Sequence, residues 1–157
     1  MKNKLRIKLV SDLHLEFSTT VIPNDQNYDV LILGGDILIS QYLHDYTYED
    51  TGSHYAETTR EFRSFLTQVS NDFPKVIYVA GNHELYHGGF YKGIQYLYDE
   101  CAKYPNISFL EKDFCIIDNV AFIGATLWTD CNNNNPDRKS TRLNSSHTDI
   151  SRMPSSA

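Results

Sequence analysis

Three short segments hold the residue types that bind metal ions and move protons: Ser11-Asp12-Leu13-His14, Gly34-Gly35-Asp36 and Gly81-Asn82-His83-Glu84. Asp12 and His14 are two positions apart, so on an extended chain their side chains point the same way and can grip one ion. Their mixed oxygen and nitrogen donors suit Mn2+, Fe or Zn2+ better than Ca2+, which prefers oxygen alone. Asp36 has a pair of carboxylate oxygens and can bridge neighbouring ions, and Gly34 and Gly35 let the backbone turn tightly beneath it. Asn82 offers a neutral amide oxygen. His83 follows at once and so points away from the ion that Asn82 would bind, which suits a proton donor or a stabiliser of developing charge. Each segment alone is a common turn or helix cap. Together, in order and each closing an apolar run, they point to metal-assisted chemistry.

The elements that must position these residues follow from hydrophobic periodicity. Residues 5–11 alternate apolar and polar and read as a strand. Residues 29–36 and 75–82 are short apolar runs closed by glycine, as in strands buried on both faces. Residues 56–73 place Phe62, Phe65, Leu66 and Val69 at helical spacing and stop before Pro74. Residues 90–104 do the same with Ile94, Leu97, Tyr98 and Cys101, and stop before Pro105. Residues 107–110 read as a short strand, and residues 114–128 as a hairpin turning at Asp118-Asn119. Residues 41–55 are polar and Tyr-rich without a period, and read as a loop or lid. Strands alternating with helices predict a mostly parallel α/β sheet, and ligands bind beyond the carboxyl ends of such strands. That rule brings Asp12, His14, Asp36, Asn82 and His83 to one rim. Glu84 is expected to orient its turn or cap the next helix, and His87 to lie in a loop near the site. His44 and His54 are expected in solvent, and Tyr86, Tyr91 and Trp128 in aromatic packing.

The segments SDLHLEF, LGGDI and AGNHELY resemble the first three motifs of the calcineurin-like metallophosphoesterases. IGATLWTD is similar to the segment after the central hairpin in many bacterial and phage members, so the resemblance spans residues 5–130. It implies an αββα sandwich around a centre of two divalent metal ions, Mn2+ foremost and Fe or Zn2+ as alternatives, acting on phosphate mono- or diesters. Carried over by position, Asp12 and His14 would bind the first ion, Asp36 would bridge, and Asn82 would bind the second. His83 would protonate or stabilise the leaving oxygen. The family pattern continues with a further histidine and then Gly-His-x-His, whereas His147 is the only histidine after His87 here. The resemblance therefore implies the N-terminal part of such a domain, truncated to the first sheet, its flanking helices and the start of the second sheet, with weak or absent activity. A non-catalytic interaction scaffold of the same fold is the alternative.

Composition fits this reading. The chain has 157 residues, 41% of them hydrophobic and 22% charged, ordinary values for one globular domain. Its net charge of −6 argues against nonspecific nucleic-acid binding, which needs cationic surface. Cys101, Cys115 and Cys131 form no CxxC pair and read as reduced thiols of a cytoplasmic protein. The N-terminal apolar run is too short and too soon interrupted by charge for a signal peptide or a membrane span. Residues 1–136 are expected to carry the phosphoesterase portion. Residues 137–157, DRKSTRLNSSHTDISRMPSSA, have Leu143, Ile150 and Met153 as their only sizeable apolar side chains. They resemble a translated sequencing adapter, and are expected to be a non-native tail that docks on no core.

Overall fold

The computed structural model describes residues 4–47 and 49–127. In chain order the elements are β1 (Ile7–Val10), β2 (Val30–Leu33), α1 (Ser40–Asp45), α2 (His54–Asp72), β3 (Lys75–Tyr78), a 3-10 turn (His83–Leu85), α3 (Phe90–Cys101), β4 (Ile107–Phe109), β5 (Asp113–Ile117) and β6 (Val120–Gly124). The first four strands form one parallel sheet in the order β1-β2-β3-β4. Ile7 pairs with Val30, Val30 with Lys75, and Val76 with Ile107. The register keeps the carboxyl ends of β1, β2 and β3 level, which the site requires.

The apolar runs become β2 and β3, the inner strands of the sheet, whereas Ile7 and Leu9 of the edge strand β1 are exposed. Val30, Leu31 and Leu33 are wholly buried. α2 buries Phe62, Phe65, Leu66 and Val69, each contributing roughly 1.5–3 kcal/mol of burial before its entropy cost. Ser53 caps this helix, its side chain accepting from the Ala56 N–H at 3.1 Å, and Pro74 ends it. α3 buries Ile94, Leu97 and Cys101.

The loop or lid expected at residues 41–55 is corrected here. Ser40–Asp45 is a helix, and α2 already begins at His54. A six-residue helix is too short to show a period, and only Ser40 and Leu43 of α1 are buried. Buried Arg63 holds α1 from below, donating to the carbonyls of Leu43 and Tyr46 at 2.8 and 2.9 Å and to Glu100 at 3.4 Å.

β5 and β6 form the expected antiparallel hairpin. Ile117 pairs with Val120, and Asp118 and Asn119 have φ of 48° and 64°, the backbone of a type I′ turn. Cys115, Ile117 and Phe122 pack against Val30, Ile77 and Leu110. The hairpin thus opens a second layer on the parallel sheet, as expected of the first part of a metallophosphoesterase sandwich. Its other face leaves Phe114, Ile116 and Ile123 exposed. No described helix is long and apolar enough to cross a membrane. The expectations for Trp128, Cys131 and residues 137–157 lie outside the described residues.

Candidate metal centre

Beyond the last strand pairs, the chains leaving β1 and β2 stay bonded to each other. The Gly34 N–H donates to the Val10 carbonyl at 2.7 Å, Asp12 N–H to Gly35 O at 3.0 Å, and His14 N–H to Asp36 O at 3.0 Å. This ladder, rather than an extended strand, places Asp12 and His14 beside Asp36. Asp12, His14 and Asp36 have φ of 56°, 48° and 54°. Their alignment by i, i+2 alternation therefore does not hold. β1 ends at Val10, and the left-handed backbone turns each side chain instead. Non-glycine residues rarely adopt this region, and a cluster of them marks a locally constrained site.

The loop after β3 closes on the loop after β2. Gly35 has φ of +97°, and a Cβ there would sit 2.7 Å from the Gly81 nitrogen. A Cβ on Gly81 would strike the Asp36 carboxylate. This backbone contact lets the His83 N–H donate to Asp36 Oδ1 at 3.0 Å.

One ligand atom each from His14, Asp36 and His83 lies within 4.8 Å of the others. The histidine Nδ1 atoms are 3.2 Å apart. Of the residues singled out in the sequence, these three are brought together. Asp12 is exposed beside Gly35, outside that triad. The Asn82 amide nitrogen donates to the Tyr86 hydroxyl at 2.8 Å, leaving the amide oxygen as the end suited to an ion. Glu84 orients its turn, as expected, its carboxylate accepting from the Gly81 and Asp36 N–H groups. His87 stacks on Tyr42 at 5.9 Å. His44 and His54 are exposed, as expected, but sit on helices. Tyr91 is 87% exposed, its ring meeting that of Phe90 edge-on at 5.5 Å.

Sequence reasoning missed Glu16, whose Oε1 lies 2.6 Å from His83 Nδ1 and 3.4 Å from His14 Nδ1. The available signal was the repeat of the two-residue spacing in Asp12-x-His14-x-Glu16. Burial opposes ionisation of Glu16, but the hydrogen bond and charge of His83, with His14, outweigh it and hold the carboxyl below its usual range. Burial likewise opposes the charged form of His83. The hydrogen bond and charge of Glu16, then the charges of Asp36 and Glu84, outweigh it and raise the imidazole pKa.

The donor set fits a divalent cation. It joins a carboxylate to two imidazoles, the mixture that suits Mn2+, Fe or Zn2+. Glu16 Oε2 is buried with no hydrogen-bond partner among the described residues, so negative charge at the site is not fully answered by protein donors.

An α/β chain with this rim is one of a class that binds metal beyond its parallel strands. The family model for calcineurin-like phosphoesterases matches residues 5–150, and the chain belongs to that family. The matched span runs past Pro136 into the stretch expected to be a non-native tail. An uncharacterized protein of Acanthamoeba polyphaga mimivirus is 28% identical over 160 residues, covering 90% of this chain and 50% of that protein. The chain thus spans about half the length of this curated relative. A crystal structure at 15% identity aligns with a TM-score of 0.48, covering 77% of this chain and 52% of its own, a likeness too slight to inform the site.

Proposed function

We propose that the chain supplies the N-terminal part of a metal-dependent phosphoesterase that hydrolyses phosphate mono- or diesters. The observation that carries this reading is the 4.8 Å convergence of His14, Asp36 and His83 where three parallel strands end, in a chain of this family. Asp12 and His14 would hold the first of two divalent ions, Mn2+ before Fe or Zn2+, Asp36 would be shared by both, and Asn82 would hold the second through its amide oxygen. Such ions lower the pKa of water and offset charge developing on the phosphoryl oxygens. His83 supplies a proton to the leaving oxygen, and its raised pKa favours the protonated ring that this role needs. A cytoplasmic location is proposed on the free thiols of Cys101 and Cys115.

A second reading, in which His83 is a ligand, rests on the same convergence. Mn2+ uptake by the purified chain, with turnover of an activated aryl phosphate by the intact protein of which it is the N-terminal part, separates the two. Asp36→Asn is expected to lose most bound Mn2+, because its charge is shared by both ions. His83→Ala is expected to keep its Mn2+ and to lower turnover by roughly two to four decades. Loss of Mn2+ from His83→Ala would make that residue a ligand. Equal Mn2+ uptake by the wild type and Asp36→Asn would overturn the metal centre. Bound Mn2+ without hydrolysis of any phosphate mono- or diester by that intact protein would leave the scaffold reading.

A further inference from the structure

Glu16 sits in the first motif segment, two residues past His14, and its carboxylate meets both site histidines. Its side chain is 7% exposed. Oε1 stands 2.6 Å from His83 Nδ1 and 3.4 Å from His14 Nδ1, and the rings are 4.2 Å apart between centroids. An ionised carboxylate only accepts hydrogen bonds. At 2.6 Å a bare imidazole nitrogen facing that oxygen would set lone pair against lone pair, so His83 must present a hydrogen on Nδ1. A neutral ring protonated at Nδ1 carries its lone pair on Nε2.

We propose that Glu16 is a positioning residue that fixes His83 as its Nδ1–H tautomer. Nε2 is then the working nitrogen of that ring, the proton-bearing end toward substrate. When the doubly protonated His83 ring gives its Nε2 proton to the leaving oxygen, the neutral ring left behind keeps its remaining proton on Nδ1, held by Glu16. The substrate-facing half of this assignment rests on the proposed phosphoesterase function, whereas the tautomer does not. Outer carboxylates of this kind fix ring orientation at many metal sites, and their removal typically costs about 10- to 100-fold in affinity or activity.

The test is long-range 15N–1H correlation of the imidazoles in the full, metal-free chain at pH 8.5, with His83 and His14 assigned by substitution. His83 is expected to carry hydrogen on Nδ1 in the wild type. Glu16→Ala is expected to move that hydrogen to Nε2, and Glu16→Gln to retain it, because the amide oxygen still accepts. A wild-type His83 protonated at Nε2 alone overturns the proposal whether or not any variant folds. So does a folded Glu16→Ala with Nδ1–H unchanged. In the Mn2+-loaded intact protein, Glu16→Ala should lower kcat about 10- to 100-fold with KM little changed, and Glu16→Gln should recover part of it. Loss of Mn2+ from Glu16→Gln would make Glu16 a ligand and also overturn the proposal. Were the wild type to bind no Mn2+ while the tautomer pattern held, the phosphoesterase reading would fall and the role of Glu16 in fixing the His83 ring would stand.

Discussion

Glu84 holds Asp36 by its backbone: the Asp36 N–H donates to Glu84 Oε2 at 3.0 Å, across 48 residues of sequence. The same oxygen accepts from the Gly81 N–H at 2.7 Å. Oε1 accepts from the Ile37 N–H at 2.7 Å, the Tyr78 hydroxyl at 2.8 Å and the Leu38 N–H at 3.4 Å. One wholly buried carboxylate therefore ties the loop after β2 to the loop after β3. Burial pushes its pKa up, against the pull of those donors. Burial and the charge of Glu84 push the Tyr78 hydroxyl well above its usual range, which keeps it a donor.

Glu84→Gln is expected to destabilise the chain. An amide has one acceptor oxygen, so its NH2 group would face donors that it cannot satisfy. Each buried donor left unpaired costs about 1–3 kcal/mol, more than the relief from burying a neutral group at a site already lined with N–H. The urea midpoint should fall, and Mn2+ affinity with it, because Asp36 loses its anchor. An unchanged midpoint in both metal-free and Mn2+-loaded chains would show that the loops are held by something else.

Gly81→Ala tests the contact between the loops in the other direction. Its Cβ would meet the Asp36 carboxylate, and the Asp36 nitrogen at 2.7 Å. The neighbour at risk is the proposed bridging residue, so metal uptake should suffer more than stability. Gly89→Ala is the control, since a Cβ there meets nothing within 4 Å. Equal Mn2+ titrations of the two variants would mean that the close approach of the loops does not shape the site.

The parts legible in the sequence were those written as apolar runs bounded by breakers. β2, β3 and α2 owe their identity to burial, which a hydrophobic pattern records directly. α1 was missed because six residues hold too little of a helical period, and because Arg63, far along the chain, satisfies its terminal carbonyls. The site residues were legible as types and in order. Their orientation was not, because Asp12, His14 and Asp36 sit in the left-handed region, where strand alternation no longer applies. Glu16 lies in a turn without a period, and only the folded chain shows its carboxylate between two rings.

The hairpin turn offers a gain in stability. Asp118 and Asn119 both hold φ > 0, and the preferred pair at these positions of a type I′ turn is Asn-Gly. Asp118→Asn combined with Asn119→Gly should raise the unfolding midpoint, by an amount on the order of 0.5–1 kcal/mol. Asn119→Val should lower it, since a β-branched residue is strained there. Thermal melts of the metal-free chain decide this, and a lower midpoint for the Asn-Gly pair would mean that the turn is not type I′ in solution.

The Glu16–His83 pair makes stability depend on pH from both sides. Glu16 has a folded pKa below its ordinary 4.5. Its contribution is therefore complete above about pH 4.5 and is lost as pH falls through the folded value. His83 has a folded pKa above its ordinary 6.5. Its contribution is complete below about pH 6.5 and is lost as pH rises through the folded value. Both are complete together only between about pH 4.5 and 6.5. Glu16→Gln removes the charge on one side and most of the raised pKa on the other. The difference in urea midpoint between wild type and Glu16→Gln, without metal, should thus peak in that window and shrink toward either end. Glu84 also titrates abnormally, but it is present in both chains and largely cancels in the difference. A difference that stays constant from pH 4 to 9 would show that the 2.6 Å contact is not an ion pair in solution.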